Sequence, residues 1–329
     1  MTIRKFFLFV SAIILCLPGS AQSDETKGGK VSQEWYPSSF SSEMTQRRLS
    51  IYLPAEYGED KEKHYPVLYL LHGTGGDEMS WIREGRLVEI MDSMIAVGGC
   101  PPMIVVMPNG IAYLDATPGE SPYMNEMVKS SNVESWFGRT EAAFPKEVVP
   151  FIETGYRTLN DKSHRAIAGL SMGGMHAMAI SCNNPEMFDY VGLFSPQTRN
   201  ILTDGSIRNI EKSMDWIESA IGRIPYAGDA LGEEFEKRKE NLGDISIYDD
   251  IDGKMERQFE DAPSLYYIAI GRDDPLKVMC DKFRKRMSKK GFPYYYQETD
   301  GGHDWNNWQN YLIDFLSRIF GTGKQTNDL

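Results

Sequence analysis

The sequence is poor in cysteine. It has 4 cysteines, of which Cys16 lies in an N-terminal apolar segment and only Cys100, Cys182 and Cys280 follow it. Proteins stabilised by disulfides carry an even and usually larger number of cysteines, so this count excludes a disulfide framework. The absence of a Cys-x-x-Cys pair leaves a thiolate zinc site without support. Stability must therefore come from a packed core.

Positive charge is also scarce. Lys and Arg number 35 against 47 Asp and Glu, which gives a formal net charge of −12. Such an acidic chain is poorly suited to bind a phosphate backbone, so we expect no nucleic-acid partner. The 329 residues are 41% hydrophobic, enough for a sizeable core. This balance excludes disordered, collagen-like and coiled-coil chains.

The N-terminal apolar run, Phe6–Leu17, is too short to cross a bilayer. Arg4 and Lys5 precede it, Pro18 ends it, and small residues lead to Ala21. This pattern is typical of a signal peptide, residues 1–21, cleaved after Ala21; a membrane anchor or a buried helix is the competing interpretation. We therefore expect a periplasmic or secreted protein with no membrane attachment after cleavage.

The remaining chain is interpreted as one domain. Residues 22–30 are polar and predict a linker, residues 31–320 predict the domain, and residues 321–329 a tail. Strand and helix patterns alternate, which is typical of an α/β fold with a mostly parallel sheet covered by helices on both faces. The predicted strands are 47–53, 67–71, 103–107, 165–168, 190–194, 265–270 and 294–298, and the predicted helices are 87–95, 145–156, 172–183, 275–290 and 305–320.

Residues 197–262 interrupt this alternation. They contain a helical pattern over 207–221 and a highly charged stretch over 232–241. We expect an insert or lid in this region; a solvated helical insert without substrate contact is the alternative. Asp250 and Gly253 resemble part of a calcium loop, but Tyr and Phe occupy its first and twelfth positions, so no metal site is predicted.

The segment that carries most chemical information is 169–174, GLSMGG. It matches G-x-S-x-G between a predicted strand and a predicted helix, the context of a nucleophile elbow. Glycines flank Ser171 because a side chain at either place would meet neighbouring backbone. We therefore predict Ser171 as the nucleophile; a structural glycine turn is the alternative.

A serine nucleophile needs a base. Of the 5 histidines, His303 follows the last predicted strand in a glycine-containing loop, and we predict it to be the base. We expect His64 to be exposed and His164 structural, while His176 points along the nucleophile helix and cannot return to the hydroxyl.

The third member of such a triad should be an acid at a strand end between Ser171 and His303 in the chain. Asp273 and Asp274 both follow the strand 265–270, and their spacing cannot separate them. Asp300 and Asp304 are expected to be loop hydrogen-bonding groups or surface charges.

A second glycine motif, residues 72–76 (HGTGG), follows the apolar strand 67–71. This is the position of an oxyanion loop, and we predict that the amides of Thr74 and Met172 bind the developing negative charge. A phosphate-binding glycine loop is less well supported, because neither dinucleotide nor P-loop pattern is completed. No cofactor is predicted.

Several separated segments together resemble a known family. They are 48–54 (RLSIYLP), 65–76 (YPVLYLLHGTGG), 164–174 (HRAIAGLSMGG) and 301–305 (GGHDW). The chain resembles carbohydrate esterase family one, the feruloyl and acetyl-xylan esterases, and the related esterase D-like α/β-hydrolases. The resemblance implies Asp274 as the acid, because the family acid is the third residue after the glycine that ends its strand.

The resemblance also implies a function. We expect an exported serine esterase that releases hydroxycinnamoyl or acetyl groups from plant cell-wall polysaccharide, with Trp81 and Trp305 as candidate substrate contacts. A siderophore esterase or an acyltransferase on the same site is the first alternative. A serine peptidase and a non-catalytic carbohydrate-binding protein are less well supported, because the motifs resemble those of esterases and all triad members are present.

Overall fold

The computed structural model describes residues 28–38, 46–110, 139–198 and 245–321. The predicted signal peptide, the predicted helix 207–221, the charged stretch 232–241 and the C-terminal residues 322–329 lie outside the described residues. Within the described ranges, no helix combines the length and the hydropathy needed to span a bilayer.

One eight-stranded sheet organises the described residues, in the order β1-β2-β4-β3-β5-β6-β7-β8. The six strands from β4 to β8 along this order are mutually parallel, while β1 and β2 add an antiparallel edge. The mostly parallel sheet predicted from the sequence is therefore confirmed. The strands are β1 (Lys30–Pro37), β2 (Gln46–Leu53), β3 (Val67–Leu71), β4 (Ile104–Pro108), β5 (Arg165–Leu170), β6 (Tyr190–Phe194), β7 (Leu265–Gly271) and β8 (Tyr295–Thr299).

Helices cover both faces of the sheet, as predicted. They are α1 (Ser80–Arg83), α2 (Leu87–Ala96), α3 (Arg139–Gly155), α4 (Met172–Asn183), α5 (Ile251–Glu260), α6 (Lys277–Lys290) and α7 (Trp305–Leu316). The apolar sides of α3 to α6 fill one core layer. Those of α1, α2 and α7 fill the other. Every residue of β3 and β4 is buried, which explains why these strands have continuous apolar sequences.

The structure adds a strand before the first predicted one. β1 lies at the sheet edge and is exposed or partly buried except at Tyr36, and this weakly apolar pattern explains why the sequence did not indicate it. The end of the predicted linker also contacts the domain: the Gly29 amide donates to Asp92 at 2.9 Å.

The last part of the predicted insert, residues 245–260, belongs to the core. Ile251 and Met255 of α5 are buried in the layer that contains α4. The Asp250 carboxylate caps α5 by accepting from the Gly253 amide at 3.2 Å. The calcium-like residues are therefore a helix start, in which an acidic N-cap satisfies a free backbone amide.

Candidate active site

The predicted catalytic and oxyanion residues lie at one edge of the sheet. Strands β3, β5, β7 and β8 are parallel, so their carboxyl ends lie on the same side. The loops that follow them carry Thr74, Ser171, Asp274 and His303 respectively. Open parallel sheets generally place their ligand sites at this edge.

Ser171 occupies a strained turn between β5 and α4. Its backbone has φ of 54° and ψ of −115°, a conformation that costs a non-glycine residue free energy. Two backbone hydrogen bonds hold it there. The Ser171 amide donates to the Phe194 carbonyl at 2.9 Å, and the Gln197 amide donates to the Ser171 carbonyl at 3.1 Å. Both the amide and the carbonyl of Ser171 are thus hydrogen-bonded to the end of β6 and the residues that follow it.

Glycines allow this turn to pack against β3. A Cβ at Gly169 would lie 2.4 Å from the Gly173 carbonyl oxygen, and one at Gly173 would lie 2.5 Å from that of His72. A Cβ at Gly73 would lie 2.5 Å from the Leu170 side chain. The contacts with backbone oxygens exclude a larger residue at positions 169 and 173, whereas the contact at Gly73 is with the end of a side chain that can move. The steric reason predicted for the motif glycines is confirmed.

Asp274 and His303 form a pair across the ends of β7 and β8. The Nδ1 atom of His303 lies 2.9 Å from Oδ2 of Asp274. The Leu276 amide donates to the other carboxylate oxygen at 2.8 Å. Asp274 is 4% exposed, whereas the neighbouring Asp273 is exposed. The structure thus separates the two aspartates that spacing left open, and it favours the residue that the family resemblance implied.

The electrostatic state of Asp274 follows from these contacts. Burial raises the pKa of its carboxyl, but hydrogen bonds from His303 and from the Leu276 amide outweigh that effect. The net result is a pKa below the usual range for aspartate. The ionised carboxylate accepts from Nδ1–H of the imidazole, which leaves Nε2 of a neutral His303 available as a base.

The loop that carries His303 has an anchor that the sequence analysis missed. Asn307 is 6% exposed, and its amide nitrogen donates to the Gly302 carbonyl at 2.9 Å. Asp304 caps α7 by accepting from the Asn307 amide at 3.1 Å, as expected for a loop hydrogen-bonding group. A capping signal, Asp-x-x-Asn, was therefore present in the sequence. Gly301 adopts φ of 88°, which favours glycine.

Aromatic rings support the same loop. Trp308 is 7% exposed and packs edge-on against the His303 ring, with 4.9 Å between ring centroids. Trp305 is partly exposed and contacts both Trp308 and Trp81. Trp305 therefore remains a candidate substrate contact beside the histidine.

The prediction that Trp81 contacts substrate is corrected by the structure. Its side chain is 1% exposed, and its indole N–H donates to the Leu71 carbonyl at 3.1 Å. The ring packs between Phe194 and Trp305 in the core layer of α7.

The two predicted oxyanion donors lie on neighbouring backbone segments. Met172 is the first residue of α4, where an amide has no acceptor within its own helix. Thr74 follows Gly73, which lies against the serine turn: a Cβ added to Gly73 would be 3.3 Å from the Cβ of Ser171. Among the described residues, none accepts a hydrogen bond from the Thr74 amide. An oxyanion at the helix N-terminus would also be favoured by the helix dipole.

The other histidines lie away from this pair. His64 is exposed, and His164 bonds to Asp161 at 2.8 Å, as the sequence predicted. His176 is buried on α4, 3.5 Å from Glu141. Asp300 is a surface charge paired with Arg272, also as expected.

The fold and these groups define a class of protein. A mostly parallel sheet, a serine at a strained strand–helix turn and an aspartate–histidine pair at neighbouring strand ends are features of the α/β-hydrolases. The model of the Esterase family, whose description is "Putative esterase", matches residues 41–319. The chain belongs to this family.

Two curated relatives show which named esterases the chain is similar to. An endo-1,4-beta-xylanase/feruloyl esterase of Xylanibacter ruminicola is 40% identical over 152 residues, 45% of this chain and 19% of that protein. The match thus spans about a fifth of that relative's length. An acetyl esterase of Caldicellulosiruptor saccharolyticus is 26% identical over 85% of this chain and 97% of its own.

Solved structures show the same fold. A ferulic acid esterase superimposes with a TM-score of 0.57 and 27% identity, covering 89% of this chain and 99% of its own. An S-formylglutathione hydrolase of Staphylococcus aureus has a TM-score of 0.59 and 16% identity over 88% of this chain and 98% of its own, a likeness of fold alone. The predicted α/β-hydrolase fold and the resemblance to feruloyl and acetyl esterases are confirmed.

Proposed function

We propose that the protein is an exported carboxylic ester hydrolase that uses Ser171, His303 and Asp274. The observation that carries this proposal is the hydrogen bond between the buried Asp274 and the partly exposed His303, at the same sheet edge as the strained Ser171 turn. This arrangement supplies a nucleophile, a base and a group that orients the base. Membership of the esterase family supports ester chemistry over amide chemistry.

The mechanism follows from the roles of these atoms. Oγ of Ser171 attacks the ester carbonyl carbon while Nε2 of His303 takes its proton. The carbonyl oxygen becomes an anion held by the Thr74 and Met172 amides. The ester C–O bond then breaks, and the imidazolium returns its proton to the departing alcohol. Water, deprotonated by His303, then attacks the acyl-enzyme. The bond between the acyl carbon and Oγ of Ser171 breaks, Oγ takes the proton back from His303, and the acid is released.

We propose a hydroxycinnamoyl or acetyl ester of a plant cell-wall polysaccharide as the substrate. Relatives named feruloyl esterase and acetyl esterase support these acyl groups. The partly exposed Trp305 lies two residues after the histidine and packs on Trp308, which contacts the His303 ring; its aromatic side chain is suited to an aromatic acid or a sugar ring. A polymeric substrate also agrees with the signal peptide proposed for residues 1–21, since a polymer cannot be imported intact.

The test is hydrolysis of methyl ferulate, 4-nitrophenyl acetate and acetylated xylan by the purified protein. Ser171→Ala and His303→Ala should each lower kcat on the order of a millionfold. Ser317→Ala is a matched control, because this exposed serine follows the last residue of α7 and its hydroxyl bonds only to the Asp314 carbonyl of that helix. A loss below about tenfold for Ser171→Ala contradicts the mechanism.

The three substrates separate the acyl classes. Turnover of methyl ferulate at least as efficient as that of the acetate supports a hydroxycinnamoyl substrate. Release of acetate from xylan without ferulate turnover supports an acetyl substrate instead. Export is tested separately: the N-terminus of the protein recovered outside the cytoplasm should be Gln22.

A further inference from the structure

His72 stands immediately before the oxyanion loop, and both of its ring nitrogens are engaged. Its side chain is 2% exposed. Nδ1 lies 2.8 Å from the Gly73 carbonyl oxygen, and the Gly110 amide donates to Nε2 at 2.9 Å. Since an amide can only donate, Nε2 must carry the lone pair. The proton is therefore on Nδ1, and the imidazole is neutral.

The surroundings of His72 keep it in this state. Burial lowers the pKa of the imidazole to about 4, although the hydrogen bond to Gly73 and the charge of Asp77 oppose that shift. His176 and Arg47, which face it from α4 and β2, lower the pKa further. The ring thus remains neutral over the range in which an esterase with a histidine base is active.

The Gly110 amide, which specifies this tautomer, is held in place by its own neighbours. The Thr140 hydroxyl donates to the Gly110 carbonyl at 2.8 Å. The preceding residue, Asn109, is held by the Arg47 guanidinium on its carbonyl at 2.5 Å and by the Arg48 carbonyl on its amide at 3.0 Å. The Gly110 amide is therefore held in place as a donor. Nε2 of His72, which accepts from it, cannot carry a proton at the same time.

The bond from His72 to Gly73 acts on the neighbouring amide. The Gly73 carbonyl and the Thr74 N–H belong to one peptide group, which is planar and trans, so they point in opposite directions. A second donor, the Gly76 amide, lies 3.1 Å from the same carbonyl oxygen. Two hydrogen bonds to the carbonyl thus fix the direction in which the Thr74 N–H points. They also polarise the peptide group and strengthen its N–H as a donor.

We propose that His72 is a positioning residue for the oxyanion hole, which orients the Thr74 amide through the Gly73 carbonyl in a tautomer set by Gly110. This inference rests on the proposed function of Thr74. It predicts that the Nδ1 contact affects transition-state binding, whereas the Nε2 contact serves mainly to select the tautomer.

Two substitutions separate the two contacts. His72→Asn keeps a donor near the position of Nδ1 and removes the acceptor for Gly110. His72→Gln keeps an acceptor near the position of Nε2 and removes the donor for Gly73. Loss of one oxyanion donor generally costs about 100- to 1000-fold in kcat, so a misdirected Thr74 amide should cost about 10- to 100-fold.

The readouts are kcat and KM for 4-nitrophenyl acetate and the affinity of a trifluoromethyl ketone, whose adduct with the serine resembles the tetrahedral intermediate. We expect His72→Gln to lower kcat and ketone affinity in parallel with little change in KM, and His72→Asn to retain at least tenfold more of both. Equal losses in the two variants, or a change confined to KM, would overturn the inference. Activity of the wild type and its loss in Ser171→Ala test the proposed function independently.

A measurement on the unmodified protein avoids variants that fail to fold. Long-range nitrogen–proton NMR spectra of the histidine-labelled protein distinguish the two neutral tautomers and the charged ring. At pH 7, His72 should show a protonated Nδ1 and an unprotonated Nε2. A charged ring or the opposite tautomer at this pH refutes the arrangement, whatever the variants show.

Discussion

The Ser171 turn is held by backbone contacts, whereas the Asp274–His303 side of the site is held by side-chain hydrogen bonds. On the first side, the Phe194 carbonyl accepts from the Ser171 amide, and the carbonyls of His72 and Leu71 approach α4 so closely that only glycine fits at position 173. On the second, carboxylate, imidazole and carboxamide groups connect the ends of β7, β8 and α7.

This difference has a physical consequence. Backbone contacts are sensitive to added volume, because neither partner can move without shifting a strand. Side-chain contacts are sensitive to chemistry at nearly constant volume, because exchange of one atom alters charge or hydrogen-bonding capacity. Isosteric substitutions should therefore damage the Asp274–His303 side most, and small added groups should damage the serine side most.

The largest effect after loss of Ser171 or His303 is expected from Asp274→Asn. It preserves shape but removes the charge that stabilises the imidazolium, and an amide nitrogen facing Nδ1 would force the wrong tautomer. We expect kcat to fall about ten-thousandfold. Asp273→Asn, at an exposed neighbouring position, should change kcat less than about twofold. Comparable losses in both variants would show that the Asp274–His303 pair is not the source of the effect.

Gly173→Ala tests the serine side. The added Cβ would lie 2.5 Å from the His72 carbonyl oxygen and 2.6 Å from that of Leu71, so β3 or α4 must shift. We expect about 1–3 kcal/mol lower free energy of unfolding, measured in urea, together with lost activity. Gly58→Ala is the control, since a Cβ there meets no atom within 4 Å. Unchanged stability in Gly173→Ala would mean that the turn has room that the structure does not show.

A smaller effect is expected from Trp308→Phe on the histidine side. An aromatic pair contributes about 0.5–1.5 kcal/mol beyond buried area, which corresponds to about two- to tenfold in rate if it is needed to hold His303. We expect kcat to fall within that range. Trp35→Phe, with its ring 54% exposed on β1, should leave kcat unaltered. If kcat fell as much in Trp35→Phe as in Trp308→Phe, the contact between Trp308 and His303 would not be the cause of the loss.

The smallest expected effect is on the pH dependence of the free energy of unfolding. The pKa of Asp274 is lowered in the folded protein, so its ionised form stabilises the fold above the unfolded-state pKa of about 3.9. That contribution is lost as pH falls through the lowered value. The difference in unfolding free energy between wild type and Asp274→Asn should therefore shrink as pH falls from 5 towards 3. A difference that grows on acidification would contradict the sign of the shift.

Local patterns predicted most of the regular structure. The strand 190–194 and the helix 172–183 agree with β6 and α4 to the residue, because a buried strand and a buried helix carry continuous apolar sequences between clear stops. Edge strand β1 and helix α5 escaped prediction. One has few apolar residues, and the other follows a highly charged stretch in a region where the alternation of strands and helices stops.

The site was predicted unevenly for a similar reason. Ser171 and the glycines around it form a contiguous motif, and its chemistry depends on neighbours along the chain. Trp81 was wrongly assigned to the substrate because an aromatic residue near an oxyanion loop packs inward or outward according to contacts with distant rings. Asn307 was missed because its anchoring role depends on a loop carbonyl that only the folded α7 approaches.

The sequence by itself determined the glycine-flanked serine turn, the glycine loop 72–76 and the order of strands and helices, because these depend on sterics and hydrophobicity within a few residues. Only the tertiary structure decided which of two adjacent aspartates meets His303 and which tautomer His72 adopts. Both outcomes depend on hydrogen bonds between residues at least 29 positions apart, which form only when the ends of separate strands meet at one edge of the sheet.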